Sequence, residues 1–118
     1  MLSSEIIGSV YIALGATDLR KSIDGLAVIV TESFNLDPFS KSIFVFCNRK
    51  KDKIKILKWD INGFWLYYKR LEKGTFKWPD RLDSKTISIS EREFRWLLDG
   101  LSIKQNDALS PVKQRIII

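Results

Sequence analysis

The sequence predicts an α+β fold, in which a small, mostly antiparallel sheet of four to five strands packs with two helices. Three observations support it: short apolar, β-prone segments recur along the chain, two segments have helical periodicity, and turn residues separate the later strands. With 118 residues and 45% hydrophobic content, the chain is expected to form one domain with an apolar core. The core is expected to span about 10–101, and 102–118 forms a C-terminal tail.

The first half of the chain is predicted to run strand, helix, strand. Residues 10–14 are short, apolar and β-prone, so they are predicted to be a buried strand. Thr17 or Asp18 can cap the next helix, because either side-chain oxygen can accept a hydrogen bond from a free first-turn N–H. Apolar residues at three- and four-residue spacing extend this helix over about 18–34. The apolar segment 42–47 is typical of a central strand.

A hairpin is predicted next. Residues 53–56 alternate Lys and Ile, and Asn62-Gly63 fits a two-residue turn before a strand at 64–71. Pairing around this turn places two sets of side chains on opposite faces. One face carries Lys53, Lys55, Leu57, Trp59, Leu66, Tyr68 and Arg70, and the other carries Ile54, Ile56, Lys58, Trp65, Tyr67, Lys69 and Leu71. Both sets are mixed, so the pattern leaves open which face is exposed.

The last predicted elements are a short edge strand at 86–89 and a helix at 91–99. Ser90 and Glu93 form a capping box, in which each side chain accepts a hydrogen bond from the other residue's backbone N–H. Gly100 lies where a C-terminal cap glycine is expected. The apolar stripe of this helix is Phe94, Leu97, Leu98 and Leu101.

Positive charge is concentrated in residues 49–85. This segment has 12 Lys or Arg and 5 acidic residues, a balance of +7, whereas the rest has 8 and 9, a balance of −1, which together give the net +6. It also holds seven of the 14 aromatic residues. Because cations attract polyanions and flat rings can stack on bases, the composition predicts a working surface here and points to nucleic acid.

The absence of histidine excludes several functional classes. There can be no histidine general base, no Ser–His or Cys–His nucleophile pair, and no Cys/His zinc site. A magnesium nuclease would need clustered carboxylates, and nothing in the sequence brings the aspartates together. We therefore expect no enzyme activity, no catalytic residue, no metal and no cofactor. The aspartates that could in principle form such a magnesium site are Asp18, Asp24, Asp60, Asp80 and Asp83.

The cellular location is predicted from three features. The single Cys47 cannot form an internal disulfide, which suits a reducing cytosol. No segment approaches the roughly 20 apolar residues that span a bilayer, and the N-terminus lacks the pattern of a signal peptide. We expect a cytoplasmic protein that does not associate with a membrane. Cys47 itself is expected to be a packed thiol in an apolar strand.

Four blocks of sequence occur in a specific order. They are VYIALGATDLRKSIDGL at 10–26, LDPFS with FVFCNRKKD at 36–52, WDINGFWLYYKRLEKG with WP at 59–79, and FRWLLDGL at 94–101. In this order and spacing they resemble the accessory protein TnpB of insertion sequence 66 elements. The unrelated RNA-guided nuclease of the same name is much larger, and its motifs do not match.

The resemblance implies a role but no reaction. It implies a small protein of a bacterial mobile element, encoded beside a separate DDE-type transposase and a second small accessory protein. From it and from the concentration of positive charge together, we expect a non-enzymatic accessory factor for transposition that binds DNA, in particular the element ends. The predicted DNA-binding residues are Arg49, Lys50, Lys51, Lys53, Lys55, Lys69, Arg70 and Lys73. The ordinary alternative is a solvated turn whose lysines protect exposed strands from aggregation.

A rival hypothesis makes the chain a protein adaptor that docks on the transposase or its companion without contacting DNA. The predicted partner-binding residues are Trp65, Trp78 and Arg20, joined by the Ile116-Ile117-Ile118 tail. For most aromatics the alternative is core packing, since such rings bury large areas. For Arg20 the alternative is a surface ion pair with Asp24 at helical i, i+4 spacing. The oligomeric state is left open.

Overall fold

The computed structural model describes residues 8–81 and 83–103. Five strands form one sheet, and two helical segments pack on its two faces. The strands are β1 (Val10–Ala13), β2 (Ile43–Cys47), β3 (Lys53–Asp60), β4 (Gly63–Arg70) and β5 (Thr86–Ile89). The helices are α1 (Ile23–Val28), which continues as one π-helical stretch over Ile29–Ser33, and α2 (Glu91–Leu98).

The sheet is mostly antiparallel, which confirms the predicted α+β class. Its strand order is β4-β3-β2-β1-β5. Strands β1 and β2 are parallel because α1 crosses between them, whereas the other three pairings are antiparallel. Strands β4 and β5 therefore form the two edges of the sheet in the described part of the chain.

Two apolar clusters lie on opposite faces of the sheet. On the α1 face, helix residues Leu26 and Val30 pack against Phe44, Phe46 and Leu57 of the strands. The α2 face is larger and combines strand residues with both the helix and the segment after β4. Its buried members are Val10, Ile12, Ile43, Val45, Cys47, Ile54, Ile56, Phe76, Trp78, Ile89, Phe94 and Leu97.

Helix α1 begins later than the sequence predicts. Its N-cap residue is Ser22, whereas the prediction placed the cap at Thr17 or Asp18. The Asp18 carboxylate instead accepts a hydrogen bond from the Arg20 backbone N–H at 3.0 Å, which closes a local turn. The Thr17 N–H donates to the carbonyl of Cys47 at 2.8 Å, so the loop before the helix is bound to the end of β2.

The β3–β4 turn is displaced by one residue from the predicted position. Asp60 pairs with Gly63, so the turn residues are Ile61 and Asn62, and Ile61 has a φ of +52°. The strand register consequently moves by two residues, which preserves the predicted side-chain faces. Aromatic packing explains the shift: the paired Trp59 and Phe64 rings lie 5.0 Å apart between centroids.

The α2 termini follow the prediction, except at one residue. The capping box is confirmed, with a 3.0 Å hydrogen bond from the Glu93 N–H to Ser90 Oγ. Gly100 has a φ of +83°, and the Leu101 N–H donates to the Trp96 carbonyl at 2.8 Å. Leu101 is exposed and is not part of the buried stripe, because the chain leaves the helical path at Gly100.

Trp78 corrects a prediction about partner binding. Its side chain is 8% exposed, and its indole N–H donates to the Ala13 carbonyl at 2.9 Å. The hydrogen bond satisfies the polar edge of the ring inside the α2-face core. Trp78 is therefore a core residue, and the expectation that it presents its ring to a partner is wrong.

Most of the predicted C-terminal tail lies outside the described residues. This part runs from 104 onward and includes the proposed Ile116-Ile117-Ile118 contact. Within the described residues, no helix is long and apolar enough to cross a bilayer.

Candidate nucleic-acid interface

A groove lies between the loop at 16–20 and the β2–β3 turn. It consists of two adjoining concavities of about 400 and 570 Å³, which share Asp18, Leu19, Asn48 and Lys53 as lining residues. Tyr68 of β4 lines the larger concavity. We call this feature the basic groove; its charged residues are Arg20, Arg49, Lys50, Lys53, Lys55 and Asp18.

The basic groove concentrates the positive charge of the protein. Five cations and one carboxylate line it, so its balance is 5 − 1 = +4, compared with +6 for the whole chain. Arg20 is separated by more than 28 residues in sequence from the remaining four cations, and the fold brings the two groups together. A concave surface with this charge attracts a polyanion.

Asn48 organises the turn that carries Arg49 and Lys50. Its Oδ1 accepts hydrogen bonds from the N–H groups of Asp52 at 3.1 Å and Lys53 at 3.0 Å. Its Nδ2 donates to the Asp52 carboxylate at 2.7 Å. This hydrogen bond, with Lys53 nearby, lowers the pKa of Asp52. No role was predicted for Asn48, although Asn at the start of a turn is a known signal.

The loop side of the groove is held by an ion pair. Two nitrogens of the Arg20 guanidinium bind the two carboxylate oxygens of Asp18, at 3.0 and 2.7 Å. The hydrogen bonds from Arg20 hold the pKa of Asp18 well below its usual range. The predicted Arg20–Asp24 pair is replaced because Arg20 precedes the helix, where i, i+4 spacing has no meaning.

Two lysines lie on the strand side of the groove. Lys53 lies 3.6 Å from the Asp52 carboxylate. The Lys55 ammonium donates to the Lys21 carbonyl at 3.0 Å and lies 6.0 Å from the centroid of the Tyr68 ring, its cross-strand neighbour. An ammonium at this distance from an aromatic face makes a cation–π contact.

The other predicted DNA-binding residues lie outside the groove lining. Arg70 is opposite Lys53 on the same face and pairs with Glu72 at 2.9 Å, which raises the Arg70 pKa. Lys51 has a φ of +63° and lines a third concavity, with Trp78 and Pro79, which adjoins the basic groove at Asn48 and Arg49.

Lys69 and Lys73 are also separate from the groove. Lys69 is on the α2 face, where its ammonium donates to the Leu98 carbonyl at 2.7 Å. Lys73 lies in the exposed turn after β4. That turn is fixed beside the β2–β3 turn by backbone hydrogen bonds from Leu71 to Asp52 and from Phe76 to Lys51, both at 2.7 Å.

Comparison with known proteins identifies the family. The sequence model described as "IS66 Orf2 like protein" matches residues 8–108. The chain belongs to this family. Two relatives are the uncharacterized proteins y4hO and y4jC of Sinorhizobium fredii (strain NBRC 101917 / NGR234). The first is 37% identical over 92 residues, 78% of this chain and 79% of the relative; the second is 31% identical over 107 residues, 88% and 91%. No solved structure matches.

Family membership confirms the resemblance seen in the sequence and indicates the process in which the protein takes part. Members of this family are accessory proteins of insertion-sequence transposition. The cations of the basic groove and all 14 aromatic residues lie within the matched residues. All the residues that line the basic groove therefore lie within the matched region.

Trp65 is exposed on the side of β4 opposite the groove. Its side chain is 54% exposed, stacks on Tyr67 with 6.1 Å between ring centroids, and donates to the Asp60 carboxylate at 3.0 Å. Ile61, in the adjoining turn, is 89% exposed. These side chains form a small apolar surface beside a carboxylate.

Three other side chains with the chemistry of nucleophiles or metal ligands are either buried or paired. Burial raises the pKa of the Cys47 thiol to about 12, so the thiol is protonated near neutral pH. Asp18 pairs with Arg20, and Asp83 pairs with Arg81 at 3.0 Å. Over the described ranges, no three Cys, Asp or Glu side chains are close enough to hold a metal ion.

Proposed function

We propose that this protein supports transposition by binding DNA through the basic groove. The observation that carries the proposal is the convergence of Arg20 with the cations of the β2–β3 turn around one concave surface. Lysine and arginine contacts to phosphates release counterions, which supplies affinity without sequence preference. The DNA expected in this role is the end of the mobile element.

The proposal is tested by titrating a labelled fragment of an element end at increasing salt concentration. The logarithm of the binding constant should fall linearly with the logarithm of salt concentration, with a slope of about −0.9 per phosphate contact in duplex DNA. The double variant Lys50→Glu/Lys53→Glu should weaken binding by about tenfold or more, and its slope should be shallower by about two.

A matched control separates a specific groove from general positive charge. Lys77→Glu/Lys85→Glu makes the same change in net charge at two exposed lysines that do not line the groove. It should retain much more affinity than the groove variant. Equal losses in the two double variants, or binding without a salt slope, would defeat the groove model.

A second candidate function is a protein adaptor that docks on the transposase or the second accessory protein. The exposure of Trp65 and Ile61 favours it, because exposed aromatic and aliphatic side chains are typical of protein contact sites. Co-purification of the three element proteins without DNA tests it. If Trp65→Ala abolishes co-purification and the groove variant does not, the adaptor function is supported.

A further inference from the structure

We infer that the basic groove takes an unpaired DNA strand, with a base stacked on Tyr68 and the neighbouring phosphates along Lys53, Arg49 and Lys50. This inference rests on the proposed function and specifies its substrate. The feature that carries it is the Tyr68 ring, which is 54% exposed in a groove that five cations also line.

The larger concavity has the chemical composition of a nucleotide site. Leu19 and Tyr68 give it an apolar lining, and Arg20, Lys53 and Lys55 supply positive charge. A base has two flat faces that can stack on a ring, while its phosphate is an anion that lysine and arginine attract. An aromatic side chain within a positively charged groove is the usual combination in proteins that bind single strands.

The two concavities together form a track. Because they share Asp18, Leu19, Asn48 and Lys53, a strand that enters beside Tyr68 can continue past Lys53 to Arg49 and Lys50. In a duplex the base faces are stacked on one another and only base edges and the backbone are accessible. A duplex would therefore leave the Tyr68 ring without a stacking partner, whereas an unpaired strand uses both the ring and the cations.

Trp65 provides an internal comparison. It has the same exposed fraction as Tyr68, 54%, but lies on the other face of β4. Its indole N–H is bonded to the Asp60 carboxylate, which repels phosphate, whereas Tyr68 has the Lys55 ammonium above its ring. The surrounding charge, and not exposure alone, selects Tyr68 as the stacking residue.

The test compares a labelled oligothymidylate with a hairpin duplex of equal length at about 50 mM salt, where phosphate contacts are strong. The wild-type protein should bind the single strand more tightly. Tyr68→Ala should weaken single-strand binding on the order of tenfold, with little effect on the duplex. Tyr68→Phe should bind like the wild type because it keeps the ring, and Trp65→Ala should have little effect.

Each alternative outcome has a distinct meaning. Tighter or equal binding of the duplex, or no effect of Tyr68→Ala when Lys50→Glu/Lys53→Glu removes binding, overturns the single-strand inference and leaves the proposed DNA binding intact. If neither DNA binds, both the inference and the proposed function fail. Tyr68→Val, which keeps a side chain suited to a strand, repeats the measurement if Tyr68→Ala does not fold; full single-strand affinity in that variant also overturns the inference.

Discussion

The two faces of the β3–β4 hairpin carry similar side chains but differ in their surroundings. On the α1 face, the cations and Tyr68 border the open basic groove, and Arg20 comes from a loop on its other side. On the α2 face, Lys69 is bonded to the end of α2 and Trp65 to a carboxylate. The residues compared are Lys53, Lys55, Tyr68 and Arg70 on the first face, and Trp65, Tyr67 and Lys69 on the second.

The comparison shows that the role of a lysine on this hairpin depends on the element that packs against its face of the sheet. Helix α2 reaches β4, so the Lys69 ammonium satisfies a helix C-terminal carbonyl. Helix α1 begins only at Ile23, because Asp18 closes a turn before it. The loop at 16–20 therefore stands beside the β2–β3 turn, and the space between them remains open as the groove.

The largest expected effect tests whether the α2 face is structural. Trp78→Ala should lower the free energy of unfolding by about 3–5 kcal/mol, because it removes a large buried side chain. Trp78→Phe should cost about 1–3 kcal/mol, because the Ala13 carbonyl loses its partner. Urea denaturation followed by circular dichroism measures both changes.

Oligonucleotide binding is the control for these variants. Folded Trp78→Phe should bind DNA like the wild type, since Trp78 does not line the basic groove. If this variant is fully folded but binds DNA much more weakly, or if Trp78→Ala keeps its full stability, the division between a structural face and a binding face is wrong.

Strand periodicity predicted the β3–β4 faces because it depends only on alternation along each strand. The predicted turn at Asn62-Gly63 was wrong, yet a two-residue change of register returns every side chain to the same face. The start of α1 could not be predicted, since the bond from the Thr17 N–H to the Cys47 carbonyl depends on tertiary structure. The groove could not be predicted for the same reason: it requires that loop.

It was equally hard to predict which carboxylate Arg20 would bind and which carbonyl would accept the Trp78 N–H. Sequence spacing suggested that Arg20 would pair with Asp24, but the Asp18 turn places a closer carboxylate beside it. The role of Trp78 was missed because an indole in a loop-like segment gives no sign that a carbonyl of β1 will accept its N–H. The first error concerns a local turn and the second a contact between distant segments, and hydrophobic periodicity predicts neither.

Intermediate effects on stability and on DNA affinity are expected from two variants at neighbouring residues on opposite faces of β4. Lys69→Ala should lower the free energy of unfolding by about 0.5–1.5 kcal/mol, because the Leu98 carbonyl loses its donor, and DNA affinity should change little. Arg70→Ala should leave the stability almost unchanged, because its pair with Glu72 is exposed. Its DNA affinity should fall several-fold, because Arg70 lies beside Lys53 on the groove face.

Denaturation and binding titrations on the same preparations measure both properties. Each variant removes one positive charge, so the two have the same net charge. The decisive result is that Lys69→Ala loses stability but not DNA affinity, whereas Arg70→Ala loses DNA affinity but not stability. If the two variants lose equal DNA affinity, binding depends on total charge and not on the face of the hairpin.

The smallest expected effect has the opposite sign. Asp18→Asn keeps a side-chain oxygen that can accept from the Arg20 N–H, but it releases the Arg20 guanidinium and changes the groove balance from +4 to +5. DNA affinity should rise several-fold, and the salt slope should become steeper by about one. Because Arg20 holds the Asp18 pKa well below its usual range, mild acid will not reproduce this change by protonating the carboxylate.

The matched control for this variant is Asp83→Asn. Asp83 also pairs with an arginine two residues away, Arg81, and the hydrogen bonds from Arg81 lower its pKa, but neither residue lines the basic groove. Both variants remove one negative charge from the protein. A larger gain in affinity for Asp18→Asn than for Asp83→Asn places the bound phosphates beside Arg20. Equal gains would mean that DNA responds to the total charge alone, and the distinction between the two faces would then have no role in binding.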